Sequence, residues 1–247
     1  MSGSRLRDLE VSALLLRKTD FGEADLVLNV LTDTFGRIAI MASGARSSKR
    51  RFSGGIEPFH GLRLRVDAPV RGDLYRLRES RIESARFGLV SNLVALDVAG
   101  RALSWVRNTT VHSTPEPEIY LACVRLLDAL DQQPPTLPTM GEARLSEFGL
   151  VLLVTLGWAL ELERCVRCGR PCPSTSPSTL DPRHGGLICR RCGGAKHLLG
   201  PALRQRMLAA QRGKHAYLLP SDASSVLDIV EATLLAHPGI AVPSQSR

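Results

Sequence analysis

Residues 61–67 read GLRLRVD, in which Leu62, Leu64 and Val66 alternate with Arg63 and Arg65. That period of two predicts a strand with one buried face. Tyr75 and Leu77 alternate with Arg76 and Arg78 in the same way. VSALLLRK, ADLVLNVLT and GRIAIMAS supply three more short segments of strand composition. Turn signals at Phe21-Gly22-Glu23, Thr34-Phe35-Gly36, Ser53-Gly54-Gly55 and Pro69 to Gly72 separate the five. Five short strands in about 80 residues predict a small barrel, with an OB-fold ahead of an SH3-like barrel.

After Arg86 the period lengthens to 3.6. Leu89, Leu93, Leu96, Ala99, Ala102, Leu103 and Val106 fall on one helical face. Thr114-Pro115 predicts the cap and first residue of a second helix carrying Ile119, Cys123, Leu126, Leu127 and Leu130. DQQPPTLPTMG reads as a linker, and Thr139 with Glu142 as a capping box. The helix that follows is apolar on nearly all sides, which predicts burial in the middle of a helical domain. Gly200-Pro201 and Ser221-Asp222 open two further helices, the last ending near His237-Pro238-Gly239. The reading is a multidomain α+β chain: an OB-fold-like barrel over residues 1–82, a helical domain over 83–162 and 198–238, a cysteine module inserted at 163–197, and a disordered tail at 239–247.

The polar start MSGSRLRDLE predicts no secretory signal. The longest apolar run, Leu150 to Leu162, is shorter than the roughly 20 residues of a membrane span. A cytoplasmic protein is expected. The 247 residues carry a formal charge of +8, which favours an anionic partner such as nucleic acid. Five of the six cysteines lie between Cys165 and Cys192. In a reducing compartment such clustering argues for metal before disulfides. Cys165-x2-Cys168 and Cys189-x2-Cys192 have the spacing of a four-cysteine zinc site, with glycines at 169, 193 and 194 to permit the knuckle turns. Four thiolates close the tetrahedron, so the predicted Zn2+ is single and structural. Cys172 and His184 read as bystanders. The segment PSTSPSTLDPRHGG between the knuckles is expected to build no core of its own.

One loop concentrates charge. From Thr34 to Ile56 there is no acidic residue, while Arg37, Arg46, Lys49, Arg50 and Arg51 all fall there. The first 82 residues hold 15 Lys and Arg against 10 Asp and Glu. Cations on a Gly/Ser-rich loop between barrel strands suit a nucleic-acid backbone, and Phe52 is the leading candidate for an exposed aromatic that stacks a base. Small barrels also bury aromatics, so Phe21, Phe35, Phe59 and Tyr75 are expected in the core.

The string from Phe21 to Val66 resembles the bacterial RecO family of recombination mediators. The matching elements are Gly22-Glu23-Ala24-Asp25, Leu31-Thr32, Gly36-Arg37, Ser43-Gly44-Ala45-Arg46, Lys49 through Arg51, and Glu57-Pro58-Phe59. The order of barrel, helical domain and CxxCG…GGxxCxxC module extends the resemblance over nearly the whole chain. It implies a DNA repair and recombination protein without a catalytic site. Such a protein binds single- and double-stranded DNA, anneals strands coated with single-strand-binding protein, and acts with RecR to load RecA on damaged DNA. It would be nucleoid-associated when active. The resemblance carries DNA contact onto Arg37, Arg46, Lys49, Arg50 and Arg51. It also implies a dock for the C-terminal tail of single-strand-binding protein, with Arg144 and Phe148 as candidates by position.

Two other classes compete. An enzyme would need a phosphate loop, an HExxH helix or clustered carboxylates, and the sequence offers no assignable set. A sequence-specific zinc-ribbon regulator would need a recognition helix with base-reading polar residues, where these helices place apolar ones.

Overall fold

The computed structural model describes residues 8–46, 56–213 and 218–237. The basic loop's Lys49, Arg50, Arg51 and Phe52, and the expected tail at 239–247, lie outside them.

The five predicted strands form: β1 (Asp8–Phe21), β2 (Asp25–Thr32), β3 (Gly36–Ala42), β4 (Gly61–Asp67) and β5 (Leu74–Ser84). They close into a barrel of order β1-β2-β3-β5-β4. Every pairing is antiparallel except β3 with β5. This is the OB-like barrel the alternation implied. Its core is one face of each strand, built from Val11, Ala13, Leu28, Val30, Ile38, Ile40, Leu62, Leu64, Val66 and Leu77. Tyr75 and Phe35 pack against it from the edge. The β1–β2 register shifts at a bulge between Leu15 and Arg17. Beyond it Arg17 to Phe21 are all exposed, so β1 leaves the core as a projecting hairpin.

The chain divides into two compact units, residues 1–92 with 110–133, and residues 93–109 with 134–247. In the first, residues 110–114 strap one end of the barrel. Arg37 donates from Nε to the Thr110 carbonyl at 3.2 Å, and Ser113 N donates to the Arg37 carbonyl at 2.7 Å. Gly36, at φ +66°, has no room for a Cβ against the Thr114 carbonyl, so both backbone and space demand glycine. Helix α1 (Phe87–Val90) and helix α3 (Pro117–Gln132) complete this unit. The helix predicted to open at Thr114-Pro115 begins instead at Pro117, because Thr114 and Pro115 belong to the strap. Buried Arg86 ties α3 to the barrel side, donating to Asp128 Oδ1 and the Phe59 carbonyl, each at 2.8 Å.

The second unit contains α2 (Leu93–Thr109), α4 (Pro138–Thr155), α5 (Pro201–Gln211) and α6 (Ala223–Ala236). As its all-round apolarity predicted, α4 is the central helix, packing on α2, α5 and α6. At Gly149 it runs so close to Trp105 and Val230 that a Cβ would crowd both. The Thr139–Glu142 capping box does not form. The helix starts two residues earlier, at Pro138, with extended Leu137 as N-cap and no side-chain cap bond. Proline at the first position has no N–H to satisfy, and Met140 N donates to the Leu137 carbonyl at 3.1 Å.

The cysteine module is more ordered than expected. Strands β6 (Glu161–Cys165), β7 (Ser178–Asp181), β8 (Gly186–Ile188) and β9 (His197–Leu199) form a sheet of order β6-β8-β7-β9. Leu162, Leu180, Leu187, Ile188 and Leu199 are buried in it. The inter-knuckle segment thus does contribute a core residue, Leu180.

Candidate functional site

The two knuckles bring Cys165, Cys168, Cys189 and Cys192 together, with all four sulfurs within 4.8 Å of one another. Cys165 closes β6, and a tight turn follows in which Gly169 N donates to the Cys165 carbonyl at 2.8 Å. Cys189 and Cys192 flank a single 3-10 turn closed by Gly193 at φ +97°. Cys168 and Cys189 sulfurs stand 3.7 Å apart. Four sulfurs on a tetrahedral zinc at ~2.3 Å would be about 3.8 Å apart, so the donor type and the Cys168–Cys189 spacing fit such an ion. The electrostatics agree. The Cys189 N–H points at Cys165 Sγ at 3.4 Å and holds that thiol down at about 6. The Cys192 thiol, which hydrogen-bonds to Cys168, is pushed up to about 12. Four thiolates this close repel one another unless a cation sits among them, so the site can hold a metal ion. Cys172 and His184 stand outside the set. Cys172 Sγ is 4.0 Å from the Arg170 carbonyl, and His184 Nδ1 is 2.7 Å from Asp181 Oδ2.

Six arginines surround the module: Arg164, Arg167, Arg170, Arg183, Arg190 and Arg191 are all exposed. Arg167 donates to the Cys192 carbonyl and so braces one knuckle against the other.

On the barrel, the cations divide into two sets that the sequence shows as one. Those on β4 and the adjoining run of β5 are paired. Arg63 meets Glu83 and Glu10, Arg65 meets Asp8 and Glu79, Arg78 meets Asp67, and Arg81 meets Glu10. The hydrogen bond from Arg65 holds the Asp8 carboxyl below its ordinary value. By contrast, Arg17, Arg71 and Arg76 are exposed, and no carboxylate pairs with them among the described residues. The basic loop starts from a docked base. Gly44 N donates to Asp25 Oδ1 at 2.7 Å and Arg46 N to the Ala24 carbonyl at 3.0 Å, which docks the loop's start on the β1–β2 hairpin. Arg46 is exposed and lies 3.6 Å from Asp20. Arg37 is half-buried and engaged with the strap.

The aromatics divide too. Phe35, Phe59 and Tyr75 are half-buried, whereas Phe21, expected inside, is 56% exposed at the hairpin tip. Its neighbour Gly22, at φ +59°, makes the turn. That a turn this far beyond the last core residue must leave its aromatic in solvent was the available signal. In the other unit Arg144 is half-buried, and Phe148 is 5% exposed, a core side chain of α4.

Residues 6–86 match the family described as Recombination protein O N terminal, and residues 90–212 match Recombination protein O C terminal. The chain belongs to the RecO family. The first RecO match spans the barrel and the second takes in all four clustered cysteines. A DNA repair protein RecO of Anaeromyxobacter sp. (strain K) is 33% identical over 184 residues, 74% of this chain and 70% of that protein. One from Myxococcus xanthus (strain DK1622) is 30% identical over 230 residues, 92% of this chain and 91% of that protein. One from Geobacter metallireducens is 28% identical over 235 residues, 94% and 93% respectively. No helix among the described residues of this RecO-family chain is long and apolar enough to cross a membrane.

Proposed function

We propose that this chain is a DNA-binding recombination mediator in DNA repair. It binds single- and double-stranded DNA through the barrel, anneals complementary strands coated with single-strand-binding protein, and works with RecR to load RecA. The observation that carries the reading is the match of both halves to the RecO family. The cationic barrel supports it: a Gly/Ser-rich loop bearing Arg46, Lys49, Arg50 and Arg51 leaves from a docked base beside exposed Phe21. Such a surface takes phosphates without regard to sequence. The chain acts in the cytoplasm, and it does so by binding, with no bond made or broken by its own side chains.

In the same reading one Zn2+ is held by Cys165, Cys168, Cys189 and Cys192, and it is structural, because four thiolates leave no open position. The C-terminal tail of single-strand-binding protein docks on the helical unit at Arg144 and Phe148. With Phe148 buried, the tail meets that ring only if neighbouring side chains give way.

The test is annealing of two complementary oligonucleotides coated with the cognate single-strand-binding protein, with no nucleotide added. The expected outcome is acceleration by the chain that is lost when the coating protein lacks its C-terminal tail. Intact DNA binding with no acceleration would remove the mediator role.

A further inference from the structure

The hairpin that carries the first knuckle brings a fifth sulfur beside the four. Cys165 N donates to the Arg170 carbonyl at 2.8 Å and Cys172 N to the Glu163 carbonyl at 2.9 Å, on either side of the Arg164–Pro171 bridge. Cys165 therefore stands opposite Arg170, and Cys172 opposite Glu163. Paired residues lie on one side of a ribbon and alternate residues share that side, so Cys165 and Cys172 emerge together at diagonal positions. Diagonal neighbours are about 7–8 Å apart, and a disulfide spans Cα atoms up to ~6.8 Å apart, so a shift of about 1 Å would join the two.

Access differs between them. Cys165 is 1% exposed. Cys172 is half-buried and lines an open cavity of about 390 Å³ with Pro171, Ser174 and Arg204. A small oxidant entering that cavity reaches Cys172 first. Burial pushes the Cys172 thiol up, so it reacts slowly, because the thiolate is the nucleophile. The cysteine outside the module, Cys123, is 1% exposed in α3 and takes no part.

We propose that hydrogen peroxide joins Cys172 to Cys165 in a disulfide, a modification that removes one thiolate from the metal set. Peroxide transfers an oxygen atom to the Cys172 sulfur, giving a sulfenic acid and water. The Cys165 thiolate attacks that sulfur. The S–S bond forms, the S–O bond breaks, and hydroxide leaves to take up a proton as water. The two sulfurs give up two electrons, and peroxide accepts them. Three thiolates then remain to hold an ion, and a dithiol reverses the step by exchange. Slow reaction at Cys172 tunes the response to raised peroxide. Loss of zinc rests on the metal reading above, whereas the disulfide does not.

The experiment treats the full chain with hydrogen peroxide and follows released zinc with a chromogenic chelator, for wild type, Cys172→Ser and Cys172→Ala. Remaining thiols are then alkylated and the chain is digested with trypsin. Trypsin does not cut between Arg170 and Pro171, so Cys165 falls in the peptide 165–167 and Cys172 in the peptide 168–183. The expected product joins these two peptides, with fragmentation placing the bond on Cys172, and zinc appears in step with it. Dithiothreitol with added zinc should restore the starting state. Both variants should melt like wild type and release zinc several-fold more slowly at the same dose. A bond from Cys168 to Cys172, seen as the peptide 168–183 lighter by two hydrogens, would overturn the proposal. So would a bond between two of the four clustered cysteines with Cys172 still reduced, or equally fast zinc release by the variants. Wild-type chain that holds no zinc would instead overturn the metal reading, and the peptide map alone would then decide the pair.

Discussion

Arg204 is a buried cation whose partners are all neutral. It is 4% exposed and donates to the Leu162 carbonyl at 2.6 Å, the Cys172 carbonyl at 2.6 Å, the Pro173 carbonyl at 2.8 Å and Ser178 Oγ at 3.2 Å. Those acceptors belong to both sides of the cysteine module, so one guanidinium on α5 pins β6 and the run into β7. Hydrogen bonds involving a charged group contribute ~1.5–3 kcal/mol each, and a buried carbonyl left without a donor costs ~1–3 kcal/mol. Arg204→Ala should therefore destabilise the second unit by about 3 kcal/mol or more, read as a lower urea midpoint. Arg204→Lys should recover little, because a single ammonium cannot reach four acceptors that a planar fork spans. A lysine variant as stable as wild type would show that charge alone matters here. None of this is written in the local sequence. Arg204 sits in LRQRM among solvent-type neighbours, and only the fold brings Leu162, Cys172 and Pro173 to it.

Elements whose pattern repeats within a few residues were legible in advance. The β4 alternation and the unbroken apolarity of α4 each report their own surroundings, and both elements formed as read. Features set by contacts distant in sequence were not. The strap displaced the start of α3, and β7 and β9, four and three residues long, are too short to carry a period. The four cysteines were legible because knuckle spacing is itself local. A metal held by them would add to a small sheet that buries Leu162, Leu180, Leu187, Ile188 and Leu199. Cys165, 1% exposed, is the most buried of the four. Cys165→Ser should abolish stoichiometric zinc and lower the stability of the second unit, with metal analysis and melting as readouts. Well-folded wild-type protein without metal would contradict the structural assignment. Zinc affinity should also fall with pH. The Cys165 thiol is held near about 6, but the Cys192 thiol, pushed to about 12, must lose its proton to the incoming ion at every physiological pH. Release of at least that proton predicts at least a tenfold loss of affinity for each unit of acidification above pH 6, measurable by chelator competition.

The whole chain carries a formal charge of +8, yet that number does not say where an anionic partner could be held. Fifteen Lys and Arg fall in the first 82 residues, and the regular arginines of β4 and β5 look, in the sequence, as suited to phosphate as those of the loop. The fold commits the arginines of β4 to carboxylates. Arg63 and Arg65 already face Glu10, Glu83, Asp8 and Glu79, so a phosphate arriving there would have to displace carboxylates and would release few counterions. Arg46 meets Asp20 of β1 at 3.6 Å, and Lys49, Arg50 and Arg51 follow it in a stretch of sequence with no acidic residue. Counterion release gives a log–log salt slope of about −0.7 per phosphate on single strands. Neutralising the four loop cations should then reduce the magnitude of the slope by about 3 and weaken binding alike for all sequences. Arg63→Gln with Arg65→Gln, which removes half as many charges, should leave the slope within about 0.3 of wild type and chiefly lower stability by freeing Asp8, Glu79 and Glu83, while Arg81 still holds Glu10. The comparison is internal, because both variants sit on one barrel and are read in one titration. Equal slope changes per charge removed would mean that net charge governs binding and that the ion-pair lattice opens to DNA. A fall confined to the loop variant would assign the phosphate contacts to the acid-free segment.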